Sequence, residues 1–379
     1  SLEHDFTMPL AVLLCLPLVK GFEPRSIGRP TLGNMGNITG PSYRVNSTFK
    51  IDLDRDPRDR WTEAVEAKKE FLKTTLNDVI SELPNWVQKM VPYVEWMLDD
   101  AEGFLPEPYR EEVKGIARVA GVPSGQVLIA NIYYELASGC TGLVAIDPKT
   151  NTTIHARNLD YGLPGLQNLT VNVEFFRNGS IVAKGTTYVG YVGLLTGASP
   201  MGFSVQLNER DTKNGSVWDN AFEALFRGGA ISGFMLRDLL VSGASFSEAI
   251  HVAQTRHIIS PCYFIFAGPR NEAAVVTRER QSAVDTMYMK DPRNENRWFL
   301  LQTNYDHWAK PPADDIRRNY TAAHMRDLGP DAINVKTMFD VASAWPTQNA
   351  ETTYTTLMTS SFDTKSPTDG VYFTYTRNN

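Results

Sequence analysis

A chain of 379 residues, 42% hydrophobic and 21% charged, is long enough to bury a large core in one or two domains. Its net charge of −6 argues against a broad nucleic-acid footprint, and three cysteines exclude a disulfide-dense scaffold. The 22 prolines and 27 glycines are spread out, without repeats or low-complexity tracts.

The run MPLAVLLCLPLVKG, from Met8, reads either as the apolar core of a signal peptide or as an N-terminal apolar strand. It is too short to span a membrane as a helix, and the acidic SLEHDFT before it looks like an added remnant. Residues 20–60 are rich in turn residues, and within them YRVNSTFKIDLD alternates like an edge strand. From Asp59 apolar residues fall at helical spacing, in RWTEAVEAKKEFLKTTLNDVISEL and then LPNWVQKMVPYVEWMLDDAEGFL, which Pro92 should kink or divide. PEPYREEVKGIARVAGV and PSGQVLIANIYYEL read as two more helices, each opening after proline. The first 139 residues are therefore expected to be mainly helical.

The period changes at Cys140. TGLVAID and TTIHARNLD flank the turn PKTN, and LTVNVEFF and SIVAKGTTY flank Arg177-Asn178-Gly179, a hairpin signal. GFSVQLNER is another strand, and helical stretches return from Trp218 to about Gln254. CYFIFAGP, AAVVTRER, TMYMK and RWFLLQTNYD form a second set of strands. A helix near Val335 to Ala344 and the strands TTYTTLM and GVYFTYTR close the chain. This order predicts an α+β architecture, two sheets covered by helices.

Common catalytic signatures are missing. There is no GxSxG, P-loop, GxGxxG, HExxH or CxxC, so no metal or cofactor is expected. Of six scattered histidines only His155 lies near Cys140, which leaves a Cys–His dyad open. A cysteine opening a strand has another route: if the preceding bond is cut, its new α-amine, with an ordinary pKa of about 8, accepts the thiol proton. Such a site needs a cation beside the sulfur and a donor for the oxyanion. Arg157 and Asp160, on the paired strand, are placed to serve it. Against this stands the plainer reading of a core cysteine and a structural ion pair.

The segment CTGLVAIDPKTNTTIHARNLDYG resembles the one that opens the catalytic chain of acid ceramidase and N-acylethanolamine-hydrolysing acid amidase, N-terminal nucleophile hydrolases of the choloylglycine hydrolase type. The likeness continues through GTTYVGYVGLLTGASP, LNERD, LLQTNYDHWAKPPADDIRRNYTAA and YTTLM. It implies a four-layer αββα sandwich and an inactive precursor that cuts itself at acid pH between Gly139 and Cys140. Residues 1–20 would then be a leader-like segment, 21–139 a helical α-chain and 140–379 the catalytic β-chain. It implies Cys140 as nucleophile, Arg157 and Asp160 holding it, Glu209 near the cleavage site, Asn304 binding the oxyanion, and Arg317 as the first of an Arg-Arg pair. The chain departs from the family pattern at Gly142, usually serine, at Gly139, usually bulkier, and at Ile316, often aspartate. The segment from Asp160 to Leu169 lacks the longer insertion that ceramidases carry there, and this resemblance to the amidase implies an N-acylethanolamine substrate such as palmitoylethanolamide. GPSYRVNSTFKIDLD and YREEVKGIARVAGVPSGQV look more like ceramidase, so ceramide is the alternative. A lipid-binding glycoprotein that never matures is a third reading.

Two further expectations concern the surroundings. In residues 83–98, Leu83, Trp86, Val87, Met90, Val91, Val94 and Met97 share one helical face, with Tyr93 and Trp96 beside it. That face suits either a membrane or micelle surface or packing against the catalytic core. Seven sequons, at Asn37, Asn46, Asn151, Asn168, Asn178, Asn214 and Asn319, point to the secretory route and, with the resemblance, to the lysosome. If Cys140 is reactive, Cys15 with Cys262 is the one internal pair left.

Overall fold

The computed structural model describes residues 42–83, 85–100, 105–134, 139–163, 165–210, 229–269, 271–360 and 371–377. The alternating run near the start supplies two short strands, β1 (Ser42–Arg44) and β2 (Thr48–Asp52). Four helices follow: α1 (Thr62–Glu82), α2 (Asn85–Asp100), α3 (Tyr109–Ala120) and α4 (Ser124–Tyr134). Helix α1 turns Val65, Leu72, Leu76 and Val79 inward, and burying each such side chain is worth about 1.5–3 kcal/mol. Helix α3 carries Glu111 and Glu112 in its first turn, where the helix dipole favours acids, and ends on Gly121 in the left-handed conformation. Pro92 does not divide α2; it sits on the exposed side, where water can serve the carbonyl four residues back.

The strands are β3 (Gly139–Asp147), β4 (Thr152–Asp160), β5 (Thr170–Arg177), β6 (Ser180–Tyr188), β7 (Thr196–Ser199) and β8 (Phe203–Glu209). Asn178 and Gly179, both at positive φ, close the β5–β6 hairpin in the turn its sequence predicts. After α5 (Ser232–Val241) and α6 (Phe246–Thr255) come β9 (Cys262–Ala267), β10 (Ala273–Arg278), β11 (Ala283–Tyr288) and β12 (Phe299–Gln302). Helices α7 (Arg317–Leu328) and α8 (Val335–Ser343) and strands β13 (Thr352–Thr359) and β14 (Tyr372–Arg377) complete the described chain. Two of these elements, β7 and α7, have no counterpart in the sequence reading. The part of the predicted helical region from Trp218 to residue 228 lies outside the described residues.

The strands form a six-stranded sheet, β1-β14-β13-β4-β3-β12, and an eight-stranded sheet, β11-β10-β9-β8-β7-β6-β5-β2. Helices α7 and α8 cover the outer face of the first over Leu143, Ala145, Ile154, Ala156 and Leu357. Helices α5 and α6, with the N-terminal helices, cover the outer face of the second. The result is the expected αββα layering. Between the sheets, Val144 and Leu300 meet Tyr263, Ile265 and Val275 at one end. Elsewhere the layer between the sheets is polar: Thr186, Thr356 and Thr374 share hydroxyl bonds, and Thr196 meets the Tyr354 hydroxyl at 2.8 Å.

Of the expected apolar face of α2, Val91 is buried and Val94 packs against the core, while Tyr93 and Trp96 beside it are 59% and 50% exposed; the side chains of Trp86, Val87, Met90 and Met97 lie outside the described residues. Cys262 is buried in β9, and Cys15 lies outside the described residues.

Candidate active site

Cys140 is the second residue of β3, fully buried, between the two sheets. Its backbone N–H donates to Asn304 Oδ1 at 2.8 Å, and its carbonyl accepts from Arg317 Nη1 at 3.1 Å. Its Sγ lies 3.9 Å from the Leu207 carbonyl on the facing strand β8. Gly139, before it, pairs with Asp160 across the β3–β4 ladder, so the bond between 139 and 140 lies inside the ladder.

Arg317 opens α7 and ties the site together. Its guanidinium reaches Asp160 Oδ2 at 3.0 Å and Asn304 Oδ1 at 2.9 Å, and it grips Asp315 through Nε (2.9 Å) and Nη2 (2.8 Å). Asp315, two residues before Arg317, thus holds the guanidinium in a forked pairing. Burial works against the Arg317 charge, but Asp315 and Asp160 more than offset it and hold its pKa above the ordinary value. Asp160 is further fixed by Thr352 Oγ1 at 2.6 Å and Asn349 Nδ2 at 3.2 Å. Burial nevertheless raises its pKa above the usual carboxylate value.

Arg157 projects from β4 between the sheets, fully buried, and donates through Nη1 to Asn208 Oδ1 at 2.8 Å. Its Nε and Nη2 make no hydrogen bond to oxygen or nitrogen. Burial acts to lower its pKa, but the neighbouring Cys140 sulfur and Tyr354 raise it, so the group stays charged. An arginine held this way, beside a thiol and with spare donors, is suited to stabilise a thiolate or an oxyanion.

Glu209 reaches the cluster through its backbone, whose carbonyl accepts from Asn304 Nδ2 at 2.9 Å. In this uncut chain Asn304 therefore turns its oxygen to Cys140 and its amide nitrogen to β8. His155 is committed elsewhere: Nδ1 lies 3.0 Å from Ser204 Oγ, and Nε2 lies 3.0 Å from Gln206 Oε1. It pairs with Val144 rather than Cys140, and burial pushes its pKa down to about 3. It thus stays neutral and engaged, which removes the case for it as the partner of a Cys–His dyad.

The structure brings Cys140, Arg157, Asp160, Asn304 and Arg317 together, with Glu209 joined by its main chain. Sequence reasoning missed Asn208, Asp315, Asn349, Thr352 and Tyr354. One signal was present: in Phe203–Glu209 every second residue is polar, Ser204, Gln206 and Asn208, and all three are buried. Polar alternation on a strand buried on both faces marks a polar layer rather than a wet face.

A family profile described as the beta subunit of N-acylethanolamine-hydrolyzing acid amidase matches residues 47–105. That description attaches "beta subunit" to the N-terminal region, where the sequence reading expected the α-chain. The chain is 36% identical to mouse (Mus musculus) acid ceramidase over 340 residues, 84% of this chain and 85% of that protein. It is 35% identical to mouse N-acylethanolamine-hydrolyzing acid amidase over 359 residues, 94% of this chain and 93% of that protein. Among solved structures it resembles the Caenorhabditis elegans N-acylethanolamine-hydrolyzing acid amidase ortholog, with 33% identity and a TM-score of 0.53. That match covers 62% of this chain and 99% of the other.

Proposed function

The chain belongs to the family of acid ceramidase and N-acylethanolamine-hydrolyzing acid amidase, and on that premise we propose that it is an acid amidase. It cuts itself between Gly139 and Cys140 and then hydrolyses fatty-acid amides of the N-acylethanolamine class. The observation that carries this reading is the cluster around Cys140: one buried thiol, a buried arginine with spare donors facing it, and a backbone nitrogen held by Asn304 Oδ1. No histidine base is offered by the only histidine near Cys140 in sequence, so the nitrogen of Cys140 itself is the natural proton acceptor once it is an amine.

In the first step Cys140 Sγ attacks the Gly139 carbonyl, the C–N bond breaks, and the Cys140 nitrogen leaves as an amine. Water hydrolyses the thioester and leaves Gly139 as a carboxylate. In turnover the thiol passes its proton to the α-amine and attacks the substrate carbonyl. Ethanolamine departs with a proton, and water cleaves the acyl-cysteine to release fatty acid. Arg157 stabilises sulfur and oxyanion charge, Asn304 donates to the oxyanion, and Asp160 with Arg317 fixes the Cys140 main chain. Because Cys140 is wholly inaccessible before cutting, hydrolysis follows maturation.

The two products, 21–139 and 140–379, stay associated through buried contacts. The amidase match spans 94% of this chain and the ceramidase match 84%, which favours N-acylethanolamines. Ceramide is the second reading, resting on the 36% identity to acid ceramidase. Intact mass after incubation at about pH 4.5, in the ordinary carboxylate range, is expected to show two fragments meeting at Gly139–Cys140. Palmitoylethanolamide is then expected to turn over faster than ceramide. The reverse order would move the assignment to ceramidase, and a chain that stays whole would sink the amidase reading in favour of a lipid-binding glycoprotein.

Exposed Tyr93 and Trp96 on α2 form the face that meets a membrane or micelle. Tyr93→Ala with Trp96→Ala should reduce flotation with liposomes severalfold without changing the fold. Unchanged flotation would assign lipid contact to another face. The asparagines of the five sequons within the described residues, Asn46, Asn151, Asn168, Asn178 and Asn319, are all exposed, which supports N-glycosylation on the route to an acid compartment.

A further inference from the structure

Gly142 lies two residues beyond Cys140 on β3. A Cβ at this position would lie 2.6 Å from Gln206 Nε2 and 2.9 Å from Gln206 Cδ, far inside contact distance. Gln206 stands on β8 in the opposite sheet, so the space that a serine at 142 would use is filled from the facing strand.

Gln206 cannot swing aside freely. It is fully buried, its Oε1 lies 3.0 Å from His155 Nε2, and its Nε2 donates to Asn208 Oδ1 at 2.6 Å. Asn208 Oδ1 is the same atom that accepts from Arg157 Nη1. The other end of Asn208 is fixed by Nδ2, which donates to the carbonyls of Gln302 (3.0 Å) and Thr303 (3.2 Å). The directions are self-consistent. Ser204 donates to His155 Nδ1, His155 Nε2–H donates to Gln206 Oε1, and Gln206 donates onward to Asn208.

We infer that Gln206 is a positioning residue for the amidase site, matched to Gly142, which sets Asn208 and through it the Arg157 guanidinium against Cys140. This rests on the proposed self-cleaving amidase. A neutral amide suits the task at acid pH, because it presents one acceptor and one donor whatever the proton concentration. His155, neutral down to about pH 3, completes a relay that does not titrate in the working range of an acid enzyme.

The test compares cleavage rates at about pH 4.5 for the wild type, Gly142→Ser, Gln206→Thr and the double variant. Gly142→Ser alone is expected to slow cleavage about tenfold or more by displacing the Gln206 amide, and Gln206→Thr added to it should cost little further, a coupling that independent sites do not show. Gln206→Met separates positioning from packing, since it keeps the volume but has no amide to donate. In mature enzyme, with active sites counted by labelling the N-terminal cysteine, its kcat should fall about tenfold with KM within about twofold. A purely structural role would lower the number of labelled sites and leave kcat per site unchanged. Additive single effects, or an unchanged kcat per site in Gln206→Met, overturns the inference while leaving the amidase reading standing. A wild-type chain that never cuts removes both.

Discussion

Cys140→Ala will leave one uncut chain at about pH 4.5 and no measurable amide hydrolysis, a loss on the order of 10⁴-fold or more against the matured wild type. The size follows from the same sulfur serving both steps. Two neighbours are poor substitutes: Thr141, the next residue, alternates to the other face of β3, and His155 is held by Ser204 and Gln206. The fold should survive. The change removes one buried sulfur, at a cost of about 1 kcal/mol. The contacts that pin the residue, from its N–H to Asn304 and from Arg317 to its carbonyl, use backbone atoms that alanine keeps. The check is a paired measurement of intact mass and thermal unfolding. A chain that still divides at Gly139–Cys140 would assign the cut to another group and remove Cys140 from the mechanism.

Arg237→Met is expected to have the largest effect on stability. Arg237, on α5, and Glu112, on α3, form a buried ion pair that crosses the proposed cleavage point. Arg237 Nη2 donates to Glu112 Oε1 at 2.7 Å and Nη1 donates to the Val192 carbonyl at 2.8 Å. Glu112 also accepts from Trp61 Nε1 at 2.7 Å and Arg60 Nη1 at 2.9 Å. Alongside, Tyr109 stacks on Phe234 at 4.2 Å and donates to Asp238 at 2.6 Å. Removing Arg237 leaves the buried carboxylate with only Arg60 and Trp61 and opens the bidentate pair, which costs about 3 kcal/mol and should lower Tm by roughly 5 °C.

The pair is suited to acid. Burial works to raise the Glu112 pKa, but Arg237, Trp61 and Arg60 hold it below its ordinary 4.5. Its stabilisation is therefore present above pH 4.5 and is lost only as pH falls through the lowered folded-state value. After maturation the two fragments of Arg237→Met should separate on size exclusion at about pH 4.5, where wild-type fragments stay together. Co-elution with an unchanged Tm would show that this pair does not hold the chains.

Much of the fold was legible because local rules agree with it. The β5–β6 hairpin follows from Asn178-Gly179, α1 from apolar periodicity, and α3 and α4 from helical stretches that open after proline. Strand β7 escaped because Thr196–Ser199 is four small residues in a glycine-rich stretch, with no alternation to read. Helix α7 escaped because it opens on Ile316 without a side-chain cap and with two arginines, Arg317 and Arg318, in its first turn. Those features look like a loop until Asp315 and Asp160 are seen to hold Arg317. At the site, Cys140, Arg157 and Asp160 sit on one hairpin, so proximity in sequence already hints at proximity in space. Asn349 and Thr352 lie 189 and 192 residues from Asp160, and only the closed sheet brings them to it.

The run from Ser42 to Asp52 bears on what the proposed cut would divide. Strand β1 pairs with β14 at the rim of the six-stranded sheet, and β2 pairs in parallel with β5 at the rim of the eight-stranded sheet. One short stretch upstream of Gly139 thus closes an open rim on each of two sheets whose other strands lie at or downstream of it. Among the described residues the upstream piece forms no sheet of its own, and the downstream piece alone lacks the end strand on one side of each sheet. The proposed cut would separate the chain chemically at a place where the architecture has no seam.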